Sequence, residues 1–434
     1  MGWWMRCKLG VVPRLLVGFN QSRNGSWRWI STSKPGITGK RFAALWGNGD
    51  FGRLGLGTPN SQWTPTVCTA FQDKDDSVCS ISCGGAHTLF LNESGRVFST
   101  GLNDFGQLGI SDKKAYTFDP LEVSSLPDEV IQISAGYYHS AAVTVNGELY
   151  MWGKNSSGQL GLGKSADKIV YSPTRVDCLK GTRIKKIALG SEHSIAITDD
   201  GEVLSWGSGG AGRLGHGHQA GYLGFIRSST EYTPRLIKTL EGIKVKTVSA
   251  GLLHSVCIGE NGSLFLFGEK TVDKFGFADA KSATSPYVIN ELPSCHEVAC
   301  GGYHTGVITS GGELYTWGSN ENGCLGIGSS AIISLPQRVE GPLAEAHICE
   351  IHCGWKHTAA ISDGKIFTWG WGGSNGTFSV DGQSSGGQLG HGTDIDNFEP
   401  KLVSFDDNNA NNIKALQVSC GFNHTGAIFE HKSS

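Results

Sequence analysis

The stretch that decides the fold reads Ala135-Gly136-Tyr137-Tyr138-His139-Ser140-Ala141-Ala142-Val143-Thr144-Val145-Asn146-Gly147-Glu148-Leu149-Tyr150-Met151-Trp152-Gly153. A Gly-x-x-His step leads into alternating apolar residues, Asn146-Gly147 turns the chain, and a second run ends on Trp-Gly. That pattern is strand, hairpin, strand. The histidine step recurs at His87, His139, His193, His254, His304, His357 and His424. Thirteen residues after the first five come Thr100-Gly101, Trp152-Gly153, Trp206-Gly207, Phe267-Gly268 and Trp317-Gly318; twelve after the sixth comes Trp369-Gly370. The turn residues repeat as well, at Asn92 to Gly95, Asp199 to Gly201, Asn261-Gly262, Gly311-Gly312 and Asp363-Gly364. The last of these is one residue short, which accounts for the interval of twelve.

Trp46-Gly47 has no histidine before it, and His424 has no such pair after it. The two incomplete units are complementary, so the ends are expected to meet. A repeat of 50 to 67 residues is the signature of a propeller or solenoid. After each Trp-Gly comes a glycine-rich passage such as Gly158-Gln159-Leu160-Gly161-Leu162-Gly163, then usually a Pro and a short apolar run. Strand, turn and glycine account for nearly everything, and helix is scarce.

Seven units in register resemble the regulator of chromosome condensation repeat family over roughly residues 42 to 430. The resemblance implies an all-β, seven-bladed β-propeller of four-stranded blades, closed by pairing of N-terminal and C-terminal strands. Closure removes long free edges. Radial repetition lets a chain of 434 residues grow without splitting into domains. No run of 18 apolar residues offers a membrane-spanning helix.

The first 41 residues differ in kind. They carry Arg6, Lys8, Arg14, Arg23, Arg28, Lys34, Lys40 and Arg41, interleaved with Trp3, Trp4, Leu9, Val11, Val12, Leu15 and Leu16, and no acidic residue precedes Asp50. Import receptors of organelles read such a leader. Arg28-Trp29-Ile30 before Ser31 resembles a mitochondrial cleavage site, so residues 1–30 are read as a presequence, 31–41 as a linker, 42–430 as the propeller and 431–434 as a tail. Removing residues 1–30 takes away five basic and no acidic residues, which moves the formal charge from −3 to about −8. An acidic surface disfavours phosphate backbones. RNA contacts are therefore expected to be indirect.

Several motifs lose their chemistry when set against the repeat. Gly158-x4-Gly163-Lys164-Ser165 fits the P-loop expression, but it overlies the Gly-Gln-Leu-Gly passage, and Pro173 follows where a helix would have to run. Gly47-x-Gly49-x-x-Gly52 and Gly207-x-Gly209-x-x-Gly212 imitate a dinucleotide fingerprint in the same repeat slot as Gly101 to Gly106. Cys83, Cys300, Cys353 and Cys420 share one repeat position with Ala135, Leu189 and Ala250, so that position asks for a small or apolar side chain. Cys349-x3-Cys353 with His352 lacks a second ligand pair. No metal, cofactor or catalytic residue is expected. The seven histidines are spread one per blade with no repeated nucleophile or carboxylate beside them. Each is expected to bond backbone or a turn within its own blade.

Function is then sought where units break the repeat. Two insertions make the longest intervals, 61 and 67 residues. One carries Tyr222, Phe225, Arg227 and Tyr232; the other carries Trp371, Phe378 and Asp381. Aromatic and Arg side chains on loops are typical interface anchors.

Members of the resembled family include a nuclear exchange factor for the Ran GTPase, which uses an inserted wedge not recognisable here. A photoreceptor branch repeats Gly-Trp-Arg-His-Thr, and this chain has one near match, Gly354-Trp355-Lys356-His357-Thr358. The equivalent slot elsewhere holds Gly85, Tyr137, Ser191, Leu252, Gly302 and Phe422. Organelle-targeted members, including a plant mitochondrial one linked to intron splicing and complex I biogenesis, match the leader best. The resemblance thus implies a non-enzymatic mitochondrial scaffold for RNA processing with protein partners in RNA maturation. The alternative is a guanine-nucleotide exchange factor for a small GTPase.

Overall fold

A computed structural model describes residues 40–72, 76–110, 114–127, 129–217, 230–269, 284–373, 386–405 and 412–432. Seven antiparallel four-stranded sheets form the blades of a propeller. Blade 1 comprises Val78–Cys83, His87–Asn92, Val97–Leu102 and Tyr116–Glu122 in spatial order from axis to perimeter. Blades 2 to 6 repeat this order, starting from the inner strands Val130–Ala135, Ile184–Leu189, Val245–Ala250, Cys295–Cys300 and Ile348–Cys353. Blade 7 takes Ile413–Cys420 and His424–His431 from one end of the chain and Arg41–Gly47 and Gln62–Val67 from the other. The strands thus reach from Arg41 to His431, one residue beyond 42–430 at each end, because Arg41 pairs with Glu430.

The fixed interval in the sequence is a cross-strand pair. His87 stands opposite Gly101, His139 opposite Gly153, and so round to His424 opposite Gly47. The glycine is required: a Cβ on Gly101, at φ +111, would lie 2.7 Å from the Cα of His87. The pair Gly47 and His424 joins the two halves of the chain, as the complementary fragments require.

The apolar core lies between blades. Seven clusters of buried side chains sit one at each joint, such as Leu89, Val97 and Ile133 with Trp152 between blades 1 and 2. Perimeter strands carry Pro65, Pro120, Pro173, Pro234, Pro336 and Pro400, which deny their free edges a full row of N–H donors.

The histidines depart from the expected within-blade role. Each Nε2 meets the hydroxyl that follows the next blade's histidine: His87 to Ser140 at 2.9 Å, His139 to Ser194 at 3.3 Å, His193 to Ser255 at 2.8 Å. His254 to Thr305, His304 to Thr358 and His357 to Thr425 continue the circle, and His424 to Thr88 at 2.9 Å closes it. A Ser or Thr therefore does stand beside every histidine, contrary to the reading that no nucleophile repeats there. Six of these hydroxyls are held as donors and not as nucleophiles, because each gives its proton to a loop carbonyl, as Ser140 does to Gln107 at 2.7 Å. With that proton committed, Nε2 must be the donor to the hydroxyl oxygen. The indole of Trp152 adds a second donor to the Gln107 carbonyl at 2.9 Å, and Trp46, Trp206 and Trp369 do the same at their own joints.

Around the axis a second set of side chains ties inner strands together. The third residues of the first six inner strands are Ser80, Gln132, Lys186, Thr247, Glu297 and Glu350; Gln417 takes the corresponding place in blade 7. Several serve a neighbouring blade: Gln417 accepts from the Ile81 N–H, Gln132 from Ile187, and Glu350 from Val418, while Lys186 donates to Thr247. Ser82, Ser249, Ser419 and His352 accept the N–H groups of Ala135, Cys300, Cys83 and Cys420. The channel wall is thus a zip of side chain to backbone bonds that satisfies the innermost edge.

Three outcomes follow. His139→Ala leaves Ser194 without its donor and should cost about 1–3 kcal/mol beyond any cavity term, read as a lowered melting midpoint. Burial lowers the histidine pKa values, to about 3 for His87, His139, His254 and His357 and about 4 for His304, so the rings fold neutral. Below about pH 6.5 the unfolded chain takes up protons that the folded chain refuses, so stability falls with pH. With so many sites, the fold should be lost between about pH 4 and pH 6, with uptake of several protons measured on unfolding near pH 5. Glu350 behaves oppositely: burial raises its carboxyl pKa to about 8, so it costs stability increasingly as pH rises from its unfolded value toward 8. Glu350→Gln keeps the acceptor for Val418, as Gln132 and Gln417 do in their blades. It should stabilise the chain at pH 8 by about 1–3 kcal/mol, with a gain that vanishes near pH 4.5.

Candidate functional site at the axial rim

Where each inner strand ends, the chain turns through Gly-x before reaching its histidine. These turns form a ring around one mouth of the channel, lined by Gly85, Tyr137, Ser191, Leu252, Gly302, Trp355 and Phe422. Backbone bonds fix the ring: Gly85 N–H donates to Gly136 O, Tyr137 to Gly190 O, Ser191 to Gly251 O, and Phe422 back to Gly84 O. Of the ring's side chains, Ser191 adds a bond of its own, from its hydroxyl to Leu252 O at 2.6 Å; the backbone bonds recur without regard to the side chain. The variety of those side chains, from Gly to Trp, is therefore free to serve recognition.

The ring is lopsided. Trp355 stacks on Phe422 with centroids 4.1 Å apart, and Phe422 meets Tyr137 at 5.2 Å across the position of Gly85. Trp371 packs edge-on against Trp355 at 5.7 Å, and Tyr138 extends the arc from Tyr137 to Phe105. Lys356 lies 5.0 Å above the Trp355 ring and Lys154 5.5 Å above Tyr138. Each lysine also faces a carboxylate, Glu321 at 3.8 Å and Glu192 at 3.1 Å respectively. Half of the mouth is thus an aromatic arc, and the other half is Ser191, Leu252 and Gly302.

Two guanidinium groups lie beneath the ring. Arg53 and Arg213 occupy the repeat slot that Gln107, Gln159, Cys324 and Gln388 fill in other units. Arg53 is 6% exposed and Arg213 7%. Both reach inward from a turn with a residue in the left-handed region, Phe51 at φ 61 and Ala211 at φ 61, a conformation that costs a side-chain-bearing residue energy. Burial lowers the pKa of Arg53 to about 10, which leaves it charged at neutral pH.

Of the residues singled out in the insertions, Trp371 is drawn into this arc. It is 4% exposed, with its indole N–H unpartnered. Tyr232 lies in the perimeter strand Glu231–Leu236, half-buried, where it packs over Gly158 as Phe118 packs over Gly52 and Tyr171 over Gly106. It belongs to the repeat and not to the insertion. Tyr222, Phe225, Arg227, Phe378 and Asp381 lie outside the described residues. The arc residues were in plain view as the slot two places before each histidine, but only the ring geometry makes that slot one surface. Among the described residues no group of His, Cys, Asp or Glu is arranged to hold a metal ion, and no disulfide joins the described cysteines. Cys353 is buried while Cys349 is exposed.

Comparison with known proteins agrees with this architecture. The RCC1-like domain matches residues 43–427. The ultraviolet-B receptor of Arabidopsis thaliana is 32% identical over 363 residues, 82% of this chain and 76% of that one. The mitochondrial RCC1 domain-containing protein RUG3 of the same plant is 31% identical over 319 residues, 71% of this chain and 68% of that one. Human E3 ubiquitin-protein ligase HERC2 is 34% identical over 332 residues, 75% of this chain but 7% of its own length. Among solved structures, human WBSCR16 superposes with a TM-score of 0.75 at 24% identity, covering 91% of this chain and 99% of that one. Prp20p of Saccharomyces cerevisiae gives 0.75 at 23%, covering 92% and 93%. These two likenesses concern the fold. The repeat, the seven closed blades and the match across nearly all of them make this chain a member of the RCC1-like domain family.

Proposed function

We propose that the chain is a non-enzymatic mitochondrial scaffold that holds protein partners on its aromatic rim and supports organellar RNA processing, in particular intron splicing and through it complex I biogenesis. The observation that carries the reading is the 31% identity to a relative named as mitochondrial, over more than two thirds of both chains. The acid-free basic stretch before Asp50 supports the same compartment. A protein-binding role is supported by the rim, where Trp355, Phe422 and Tyr137 offer rigid aromatic area of the kind that anchors interfaces. The formal charge of −3 favours RNA contact through partners over direct binding.

The test is a pull-down of the tagged protein from purified mitochondria, with and without ribonuclease, comparing wild type with Trp355→Ala. RNA-maturation proteins should persist after ribonuclease, unspliced transcript should be lost, and the variant should lose most of both while melting within a few degrees of wild type. A small GTPase that dominates the eluate and leaves on addition of GTP would replace this reading with nucleotide exchange.

A further inference from the structure

Arg53 and Arg213 form an internal comparison, because they occupy one repeat slot and differ in what surrounds them. From its loop in blade 3, Arg213 finds full use for its Nε and Nη1 donors. Its Nε donates to Gly210 O at 2.8 Å, and its Nη1 donates to Leu252 O at 3.0 Å and to Ser191 Oγ at 3.2 Å. Ser191 is its own blade's rim residue, and Leu252 is the next blade's. From the equivalent loop in blade 7, Arg53 donates from Nε to Asp50 O at 3.0 Å and from Nη1 to Gly85 O at 3.5 Å, the limit of a hydrogen bond. Gly85 is the next blade's rim residue, matching Leu252. The own-blade position that gives Arg213 a serine hydroxyl gives Arg53 the ring of Phe422, which offers no acceptor. No carboxylate forms an ion pair with Arg53 among the described residues; Asp50 favours its charge only through space, while accepting from Asn48 Nδ2 at 3.1 Å. A buried cation with weakly used donors is expensive to keep unless something outside completes it.

We propose that Arg53 receives a carboxylate from a partner protein, an Asp or Glu side chain set beside an apolar residue that lies on Phe422, Trp355 and Tyr137. The planar fork of a guanidinium matches a carboxylate in two parallel hydrogen bonds. The aromatic arc over Gly85 supplies the apolar contact on either side of it. An acidic side chain is favoured over a nucleic-acid phosphate on two counts. A phosphate backbone is held by several exposed cations, whereas this is one guanidinium 6% exposed, and the rim lysines already face Glu192 and Glu321. The proposal rests on the rim being the partner-binding surface and adds the chemistry of what binds there.

The test uses two fluorescein-labelled peptides, one with a central Leu-Glu-Leu and one with Leu-Gln-Leu, titrated into the full chain at low salt and followed by anisotropy. The Glu peptide should bind roughly tenfold or more tightly, the value of one charge-assisted pair. Arg53→Gln should abolish the difference, and it should fold, because Gln fills this slot in three other units. Arg213→Gln should leave the difference intact. Phe422→Ser, which puts at Arg53's own-blade rim position the hydroxyl that Arg213 uses, should shrink it by satisfying the guanidinium from within. Equal affinities, no binding at millimolar peptide, or a preference that survives Arg53→Gln each overturn the proposal. A uridine oligonucleotide that outcompetes the Glu peptide in an Arg53-dependent manner overturns it in favour of phosphate. Loss of partners in Trp355→Ala tests the rim itself; the Glu and Gln difference tests only the carboxylate.

Discussion

The bond from each histidine Nε2 to the hydroxyl of the next blade is the constraint on which the rest of this structure depends. A blade of four strands buries little on its own, and its apolar faces find partners only on its neighbours. Apolar faces slide; a directional contact does not. The imidazole reaches across the joint, the hydroxyl passes its own proton to a loop carbonyl, and a tryptophan in four joints donates to the same carbonyl. Strand, neighbouring strand and glycine-rich loop are fixed together at one oxygen. Burial sets the electrostatics: it disfavours the charged imidazole at each joint, so each ring is held neutral.

Closure follows from the same contact. His357 to Thr425 and His424 to Thr88 are the two joints flanking blade 7, whose strands come from opposite ends of the chain. Those joints make the same geometry as the rest, so the composite blade is no weaker in kind than a continuous one. It differs in its folding cost, since Gly47 must find His424 from the far end of the chain.

Much of this was legible in the amino-acid sequence, and what was missed has a common cause. The His-to-Gly interval is local, a cross-strand pair in one hairpin, so periodicity exposes it directly. The orphan Trp46-Gly47 and His424 expose the closure for the same reason. The joints are not local. The hydroxyl that meets His87 lies 53 residues away at Ser140, and a repeat announces only that positions are equivalent, not that equivalent positions touch. The channel wall and the rim were missed in the same way. Gly85, Tyr137 and Phe422 are one slot in sequence, but the stacking of rings across Gly85 exists only once the slots are bent into a circle. Tyr232 was attributed to an insertion because the repeat looked broken there, yet the perimeter strand resumes at Glu231 and places it in register.

The division of labour explains why recognition gathers at the rim. Positions that carry the joints admit few residues: histidine at one, serine or threonine at the next, glycine opposite. The rim slot sits between two of these fixed points, and its backbone N–H and the preceding Gly carbonyl already hold neighbouring blades. Apart from Ser191, whose hydroxyl bonds Leu252 O and Arg213, the backbone and not the side chain holds the ring, so the slot ranges from Gly85 to Trp355 on one repeated frame. Rigidity at the joints lowers the entropic cost of presenting aromatic area. The same logic applies one layer down, where Gln, Cys and Arg share a slot whose backbone carbonyl, not its side chain, serves the joint. Exchanging Gln for Arg at that slot leaves the hydroxyl contact with the carbonyl in place and puts a charge under the rim. In blade 3 the serine accepts a hydrogen bond from that guanidinium, and Glu192 and Glu269 favour its charge through space, whereas the phenylalanine of blade 7 offers no acceptor, which makes the surface of this propeller chemically unequal around an axis that its backbone repeats seven times.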